Sequence, residues 1–190
     1  MTPFTTHTGP AAALPHDNVD TDQLIPARFM SAPSSAGYGQ FLLHDHPDRP
    51  RIMGAEILIA GRNFGSGSSR EAAVYALVDA GIRAVIAPSF GDIFAANAVN
   101  NALLPATVSA ADAAALMAHT GPVTVDLTAQ TINGTTAFTI PETWRQKLLN
   151  GWDDIDLTLS HTAKIKAFST TYHGTNPWSL PNPKGDTPCA

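Results

Sequence analysis

The chain has one cysteine in 190 residues, Cys189, and it lies in the last two positions. A disulfide framework and a cluster ligated by several cysteines are both excluded within one chain, which leaves the cytoplasm as the expected compartment. Positive charge is also scarce. Against 16 Asp and Glu stand 11 Lys and Arg, a formal net charge of −5 that argues against nucleic acid as the main partner. No charged opening segment precedes an apolar run, and no apolar stretch reaches the roughly 18 residues of a membrane span. No internal repeat is found. With 44% hydrophobic residues, the chain is expected to be soluble and to bury one sizeable core, most simply as one domain.

What is present is a run of small residues between an expected strand and an expected helix: Gly61-Arg62-Asn63-Phe64-Gly65-Ser66-Gly67-Ser68-Ser69-Arg70-Glu71. Residues 56–60 read as a buried strand. Residues 70–80 place Ala73, Ala76, Leu77 and Ala80 on one face of a helix. Ser68 followed by Glu71 fits a capping box, a device found in many helices that bind nothing. That reading leaves Arg70 unexplained, because a cation in the first helical turn faces the positive end of the dipole and loses about 0.3–1 kcal/mol without a nearby anion. Gly65 and Gly67 suit an anion site, since glycine lets a ligand approach backbone N–H groups closely.

The run lacks the Gly-Lys-Ser/Thr ending of a phosphate-binding P-loop. It also lacks the third glycine of a dinucleotide fingerprint, Arg70 standing in that place, and the next strand ends in Pro88-Ser89 rather than an acidic residue. A carboxylate suits better, because an arginine fork grips it through two parallel hydrogen bonds.

Elsewhere residues 4–15 read as a strand and turn, and residues 18–22 as a polar loop. Asp20, Thr21 and Asp22 there either orient a substrate loop or cap backbone groups in a solvated turn. Residues 27–51 form a long loop or weak helix, rich in Ser, Pro, Gly and His, of the kind that serves as a lid or is disordered in an isolated subunit. Its His44-Asp45-His46 reads as surface loop rather than metal site, lacking further spaced ligands. Gly81 ends the first helix and residues 84–87 return as a strand, a βαβ unit with a right-handed crossover. Ser89 and Asp92 are expected to cap a helix through Ala98, and Ser109 with Asp112 another through Ala118. Residues 122–140 alternate around a hairpin turn at Asn133-Gly134, and helices follow at 141–149 and 161–168. Residues 169–190 have turn chemistry and read as a flexible tail after a single domain at 1–168.

These motifs together resemble the small subunit of 3-isopropylmalate dehydratase, in the aconitase superfamily. The resemblance is carried by residues 63–77, by Asn18-Val19-Asp20-Thr21-Asp22-Gln23-Leu24-Ile25-Pro26 and by Ala87-Pro88-Ser89-Phe90-Gly91-Asp92-Ile93-Phe94. Further matches are Asn97, Asn100-Asn101-Ala102-Leu103-Leu104-Pro105 and Gly151-Trp152-Asp153-Asp154-Ile155-Asp156-Leu157-Thr158-Leu159. It implies an α/β fold, an aconitase-type swivelling β/β/α domain with a βαβ core and a C-terminal hairpin plus helices. It implies a hydro-lyase that is active only with a large subunit carrying a [4Fe-4S] cluster, no metal being bound by this chain. In that chemistry a 2-hydroxy acid loses water and the unsaturated acid is rehydrated at the neighbouring carbon. The resemblance makes Ser68 the catalytic base and Arg70 the holder of a substrate carboxylate. Ser69, Gly65, Gly67, Asp20, Thr21 and Asp22 are the further candidates for substrate contact. A serine base needs its alkoxide stabilised by N–H groups, the helix N-terminus and arginine charge.

The chain departs from the family pattern in three places. Ser66 stands where Cys is usual, Ala72 where His is usual, and Ser35-Ala36-Gly37-Tyr38-Gly39 where bacterial members carry Arg-Thr-Gly-Phe-Gly. The leading expectation is isomerisation of 2-isopropylmalate and 3-isopropylmalate in leucine biosynthesis. The alternatives are a paralogous alkylmalate or citraconate-type hydratase, a non-catalytic structural subunit of such a complex, and a stand-alone module binding dicarboxylates.

Overall fold

A single strand, β1 (Thr6–Leu14), takes part in both halves of the sheet. Its first half pairs antiparallel with β5 (Pro122–Asp126), and from Ala11 onward it pairs parallel with β2 (Ile57–Ala60). The computed structural model describes residues 1–31 and 37–180, and its contacts divide the chain into the units Met1–Asp153 and Asp154–Ala190. Ser35 and Cys189 lie outside the described residues.

The first unit is the expected α/β fold. Its seven-stranded sheet has the order β4-β3-β2-β1-β5-β6-β7, where β3 is Ala84–Ala87, β4 Leu104–Thr107, β6 Thr131–Ile132 and β7 Thr136–Ala137. The four strands β1 to β4 run parallel. In β2 and β3 every residue is buried, as a parallel strand covered on both faces requires. The pleat then divides them between two cores. Leu58, Ala60, Val85 and Ala87 face one cluster with Leu24, Phe64, Leu77 and Phe94. Ile57, Ile59, Ala84 and Ile86 face the other, with Phe4, Leu116, Val125 and Leu148.

Helix α3 (Ala72–Asp79) joins β2 to β3 and buries Ala73, Val74, Ala76 and Leu77, completing the expected βαβ unit. Helix α4 (Asp92–Asn100) joins β3 to β4. Strand β4 was not foreseen, because Pro105 sits in its middle. Leu104 N–H and Val108 N–H donate to the carbonyls of Arg83, just ahead of β3 (3.0 Å), and of Ala87 (3.2 Å), so alternation turns residue 105 to the open edge, where a missing donor costs nothing. Thr107 and Thr139 exchange backbone hydrogen bonds of 3.1 and 2.8 Å on that edge.

Helix α5 (Ala110–Met117) starts as expected, Ser109 Oγ accepting from Asp112 N–H at 3.1 Å. The hairpin turn is also as expected: Asn133 (φ 51) and Gly134 (φ 72) both adopt the left-handed backbone that matches strand twist. Helix α6 (Glu142–Asn150) follows. At the other end of the chain order, the short helices α1 (Thr21–Leu24) and α2 (Arg49–Ile52) lie between β1 and β2.

The expected cap at Ser89 does not form. Gly91 is the N-cap of α4 and makes no side-chain cap, while Ser89 Oγ accepts from Asn63 N–H at 2.8 Å.

The second unit holds α7 (Asp154–Ser160), α8 (Thr162–Thr175) and a 3-10 turn at Pro177–Ser179. Helix α8 runs to Thr175, past the point where turn chemistry suggested a tail. Ile165, Phe168 and Tyr172 recur at helical spacing within that polar stretch, and the Phe168 and Tyr172 rings stack at 5.6 Å. The rest of the expected tail, residues 181–190, lies outside the described residues.

Candidate active site

Three loops leave the same ends of the parallel strands β1, β2 and β3, and the middle one carries the Gly65 to Ser68 bend. The outer loops hold it as extra rungs of the sheet. On the β1 side, Asn18 N–H donates to Arg62 O (2.8 Å), Gly65 N–H to Val19 O (2.8 Å) and Thr21 N–H to Ser66 O (3.0 Å). On the β3 side, Phe64 N–H donates to Ser89 O (3.0 Å) and Gly91 N–H to Phe64 O (2.9 Å). Asp20 with Ser66, and Phe64 with Phe90, thus form isolated parallel bridges. Asn63 Nδ2 donates to Asn18 Oδ1 at 2.9 Å, and Arg62 N–H to Asp17 Oδ1 at 2.7 Å.

Phe64 plugs the underside of the bend, edge-on to Phe94 with ring centroids 5.3 Å apart. That contact dictates glycine next to it. Gly65 has φ 73, and a Cβ there would lie 2.2 Å from the Phe94 ring. The bend and the start of α4 enclose a cleft of about 210 Å³ lined by Gly65, Ser66, Gly67, Ser68, Gly91, Asp92, Ile93 and Phe94.

Ser68 and Ser69 are exposed, and Ser68 Oγ has no hydrogen-bond partner among the described residues. The capping box expected at Ser68 and Glu71 does not form: Glu71 is the N-cap of α3, without a side-chain cap. Glu71 instead accepts from Asn101 Nδ2 at 2.9 Å. The capping box of this region is at α1, where Gln23 N–H donates to Asp20 Oδ1 (2.7 Å) and Asp20 N–H to Gln23 Oε1 (3.0 Å). Asp20 therefore has the capping role that the sequence left open.

Arg70 stands ahead of the α3 N-cap rather than in its first turn, and its Nη1 pairs with Asp22 Oδ1. The chain supplies its own anion to that guanidinium, so the helix dipole gives no independent argument for an external one. The other guanidinium N–H groups have no partner among the described residues. Neither do the backbone N–H groups of Gly67, Ser69 and Arg70, which leaves three main-chain donors at the bend open to an anion. Thr21 is 1% exposed and accepts from Ser68 N–H through Oγ1 at 3.2 Å.

Of the departures, Ser66 meets its neighbours through its backbone, and Ala72 is half-buried against the core at the head of α3. Of the third departure, Tyr38 is tied to α3. Tyr38 N–H donates to Asp79 Oδ2 at 2.7 Å, and the Tyr38 and Tyr75 rings stack at 6.3 Å. Burial pushes the Tyr75 hydroxyl up, with Glu71 adding to it.

His44 and His46 part company. The hydrogen bond from Arg28, aided by His44, holds Asp45 down to about 2. His46 joins His16 and Asp48, with donor atoms within 4.8 Å of one another. These donors satisfy each other: His16 Nε2 donates to Asp48 Oδ2 at 2.7 Å, which holds that carboxyl below its usual range, and His46 Nδ1 accepts from Asp48 N–H at 3.2 Å. Sequence reasoning missed Asn18, Asn63 and Ser89 as buttresses of the bend. The positive φ of both asparagines, 58 and 57, is the conformation that Asn tolerates best after glycine, and an Asn ahead of a glycine run hints at it.

A family model described as the aconitase C-terminal domain matches residues 43–111. The chain is 45% identical to the 3-isopropylmalate dehydratase small subunit of Shewanella sp. (strain W3-18-1), over 92% of this chain and 98% of that protein. It is 44% identical to the protein of the same name from Shewanella oneidensis, over 90% and 96%. A crystal structure of 3-isopropylmalate dehydratase from Methanocaldococcus jannaschii is similar with a TM-score of 0.66 at 28% identity, covering 86% of this chain and 99% of that one.

Proposed function

The chain belongs to the family of 3-isopropylmalate dehydratase small subunits, and from that premise we propose that it completes a two-subunit hydro-lyase interconverting 2-isopropylmalate and 3-isopropylmalate in leucine biosynthesis, in the cytoplasm. The observation that carries this reading is the bend itself: an exposed Ser68 whose hydroxyl has no partner among the described residues, on a loop whose Gly67, Ser69 and Arg70 N–H groups likewise lack acceptors there. A small dicarboxylate is the ligand that these N–H groups beside the Arg70 guanidinium suit.

In this reading Ser68 removes and returns the proton on carbon, and Arg70 grips a substrate carboxylate with the N–H groups that Asp22 leaves free. Ser68 N–H is engaged by Thr21 Oγ1, so stabilisation of the alkoxide falls to neighbouring N–H groups and to arginine charge. A [4Fe-4S] cluster on the large subunit supplies, when bound, a Lewis acid toward the substrate oxygens. This chain, with one cysteine, lacks the thiolates to ligate it.

The test is to mix the chain with its cluster-loaded large subunit and follow the conjugated unsaturated acid spectroscopically. Turnover of 2-isopropylmalate by the mixture and by neither part alone is expected. The sequence Ser35-Ala36-Gly37-Tyr38-Gly39, without the arginine usual in bacterial members, favours, as the second reading, a related alkylmalate. Turnover confined to a shorter alkylmalate would select that reading. Silence with every alkylmalate would leave the chain a structural subunit.

A further inference from the structure

Thr21 was a candidate for substrate contact, yet the fold gives it another place. It is 1% exposed, so its hydroxyl has no path to a ligand in the cleft. Both of its polar ends are directed at the bend: its N–H donates to Ser66 O at 3.0 Å, and its Oγ1 accepts from Ser68 N–H at 3.2 Å. Thr21 is itself anchored on a partly buried element. It is the first residue of α1, which is capped by Asp20 and followed by the fully buried Leu24 and Ile25.

We infer that Thr21 is the positioning residue for Ser68, fixing the peptide that aims the reactive hydroxyl. The need for one follows from the glycines. Gly67, at φ 94, precedes Ser68, and a residue next to glycine has a backbone that swings readily unless its peptide is tied. Beyond Ser66 the described structure ties that peptide at one atom only, the Ser68 nitrogen, and its partner is the Thr21 hydroxyl. Proton transfer to or from carbon requires a base placed within a few tenths of an ångström, and a misplacement of about 1 Å costs on the order of 100-fold. The inference deepens the proposed function and rests on the role given there to Ser68.

The test compares Thr21→Val and Thr21→Ser in the complex with the cluster-loaded large subunit. Valine keeps the shape and loses the acceptor. It is expected to lower kcat by about 10- to 100-fold with KM and subunit association little changed, while Thr21→Ser restores most of kcat. Full activity in Thr21→Val overturns the inference, as does a Thr21→Ser variant equally impaired, since that would make the methyl group responsible. A measurement on the unaltered isolated chain needs no variant to fold: amide hydrogen exchange by NMR should find Ser68 N–H protected relative to Gly67 and Ser69. An unprotected Ser68 amide overturns the inference. If the wild-type complex is inactive on every alkylmalate, the proposed function fails first, and the inference fails with it even where the Ser68 amide is protected.

Discussion

Ser68 can be tested apart from the fold because nothing among the described residues uses its hydroxyl. Ser68→Ala should abolish turnover while leaving the thermal midpoint and subunit association unchanged, since the helix cap it resembled is not made. A retained rate would remove it from the chemistry. Arg70→Lys should raise KM strongly, because lysine lacks the planar fork that binds a carboxylate through two bonds. An unchanged KM would mean that the carboxylate is held elsewhere. Asp45 gives a pH prediction. Its carboxyl, held at about 2 by Arg28 and then His44, is depressed from the unfolded value. Its contribution is therefore complete above the unfolded carboxylate pKa of about 3.9 and lost as pH falls through about 2. Asp45→Asn should lower the urea midpoint slightly at neutral pH and low salt and match the parent at the acid extreme, salt erasing the difference because the pair is exposed. A gap that persists in acid would rule out the ion pair as its source.

At the scale of elements, α1, four residues long, is the most consequential for the site. Asp20→Ala removes the side-chain acceptor for Gln23 N–H, one half of the capping box, and should destabilise the chain by about 0.5–2 kcal/mol, measured by urea unfolding. The kcat of the assembled enzyme should fall with it, because α1 carries Thr21. The sequence announced a capping box at Ser68 with Glu71, which does not form, while the box that forms is at Asp20 with Gln23. The pattern is local, whereas the start of α3 is set by distant partners, the loops of β1 and β3 and Asn101. The same contrast separates the strands. β2 and β3 were legible as continuous apolar runs, while β4 was hidden by Pro105, whose tolerance depends on an edge position that only the assembled sheet defines. The second half of α8, beyond Phe168, was hidden because Tyr172 is its one apolar residue among Ser, Thr, His and Gly.

For the molecule as a whole, the sheet lies between two apolar cores and each central strand serves both. Leu58→Ala empties volume in one of them and should cost about 2–5 kcal/mol, read from denaturant or thermal unfolding. A loss well below that range would mean the cavity collapses. The general architecture was readable because burial on both faces leaves a composition signature. The way three loops prolong the sheet was not, since main-chain rungs carry no side-chain pattern.

Those rungs have a further consequence. A corner laced by main-chain atoms is indifferent to the substituent at position 66 but intolerant of being stretched, so it deforms little around acids of different bulk. Discrimination between a small and a branched substrate then falls to the surfaces that approach this corner, and the corner itself acts as a fixed anvil against which they close.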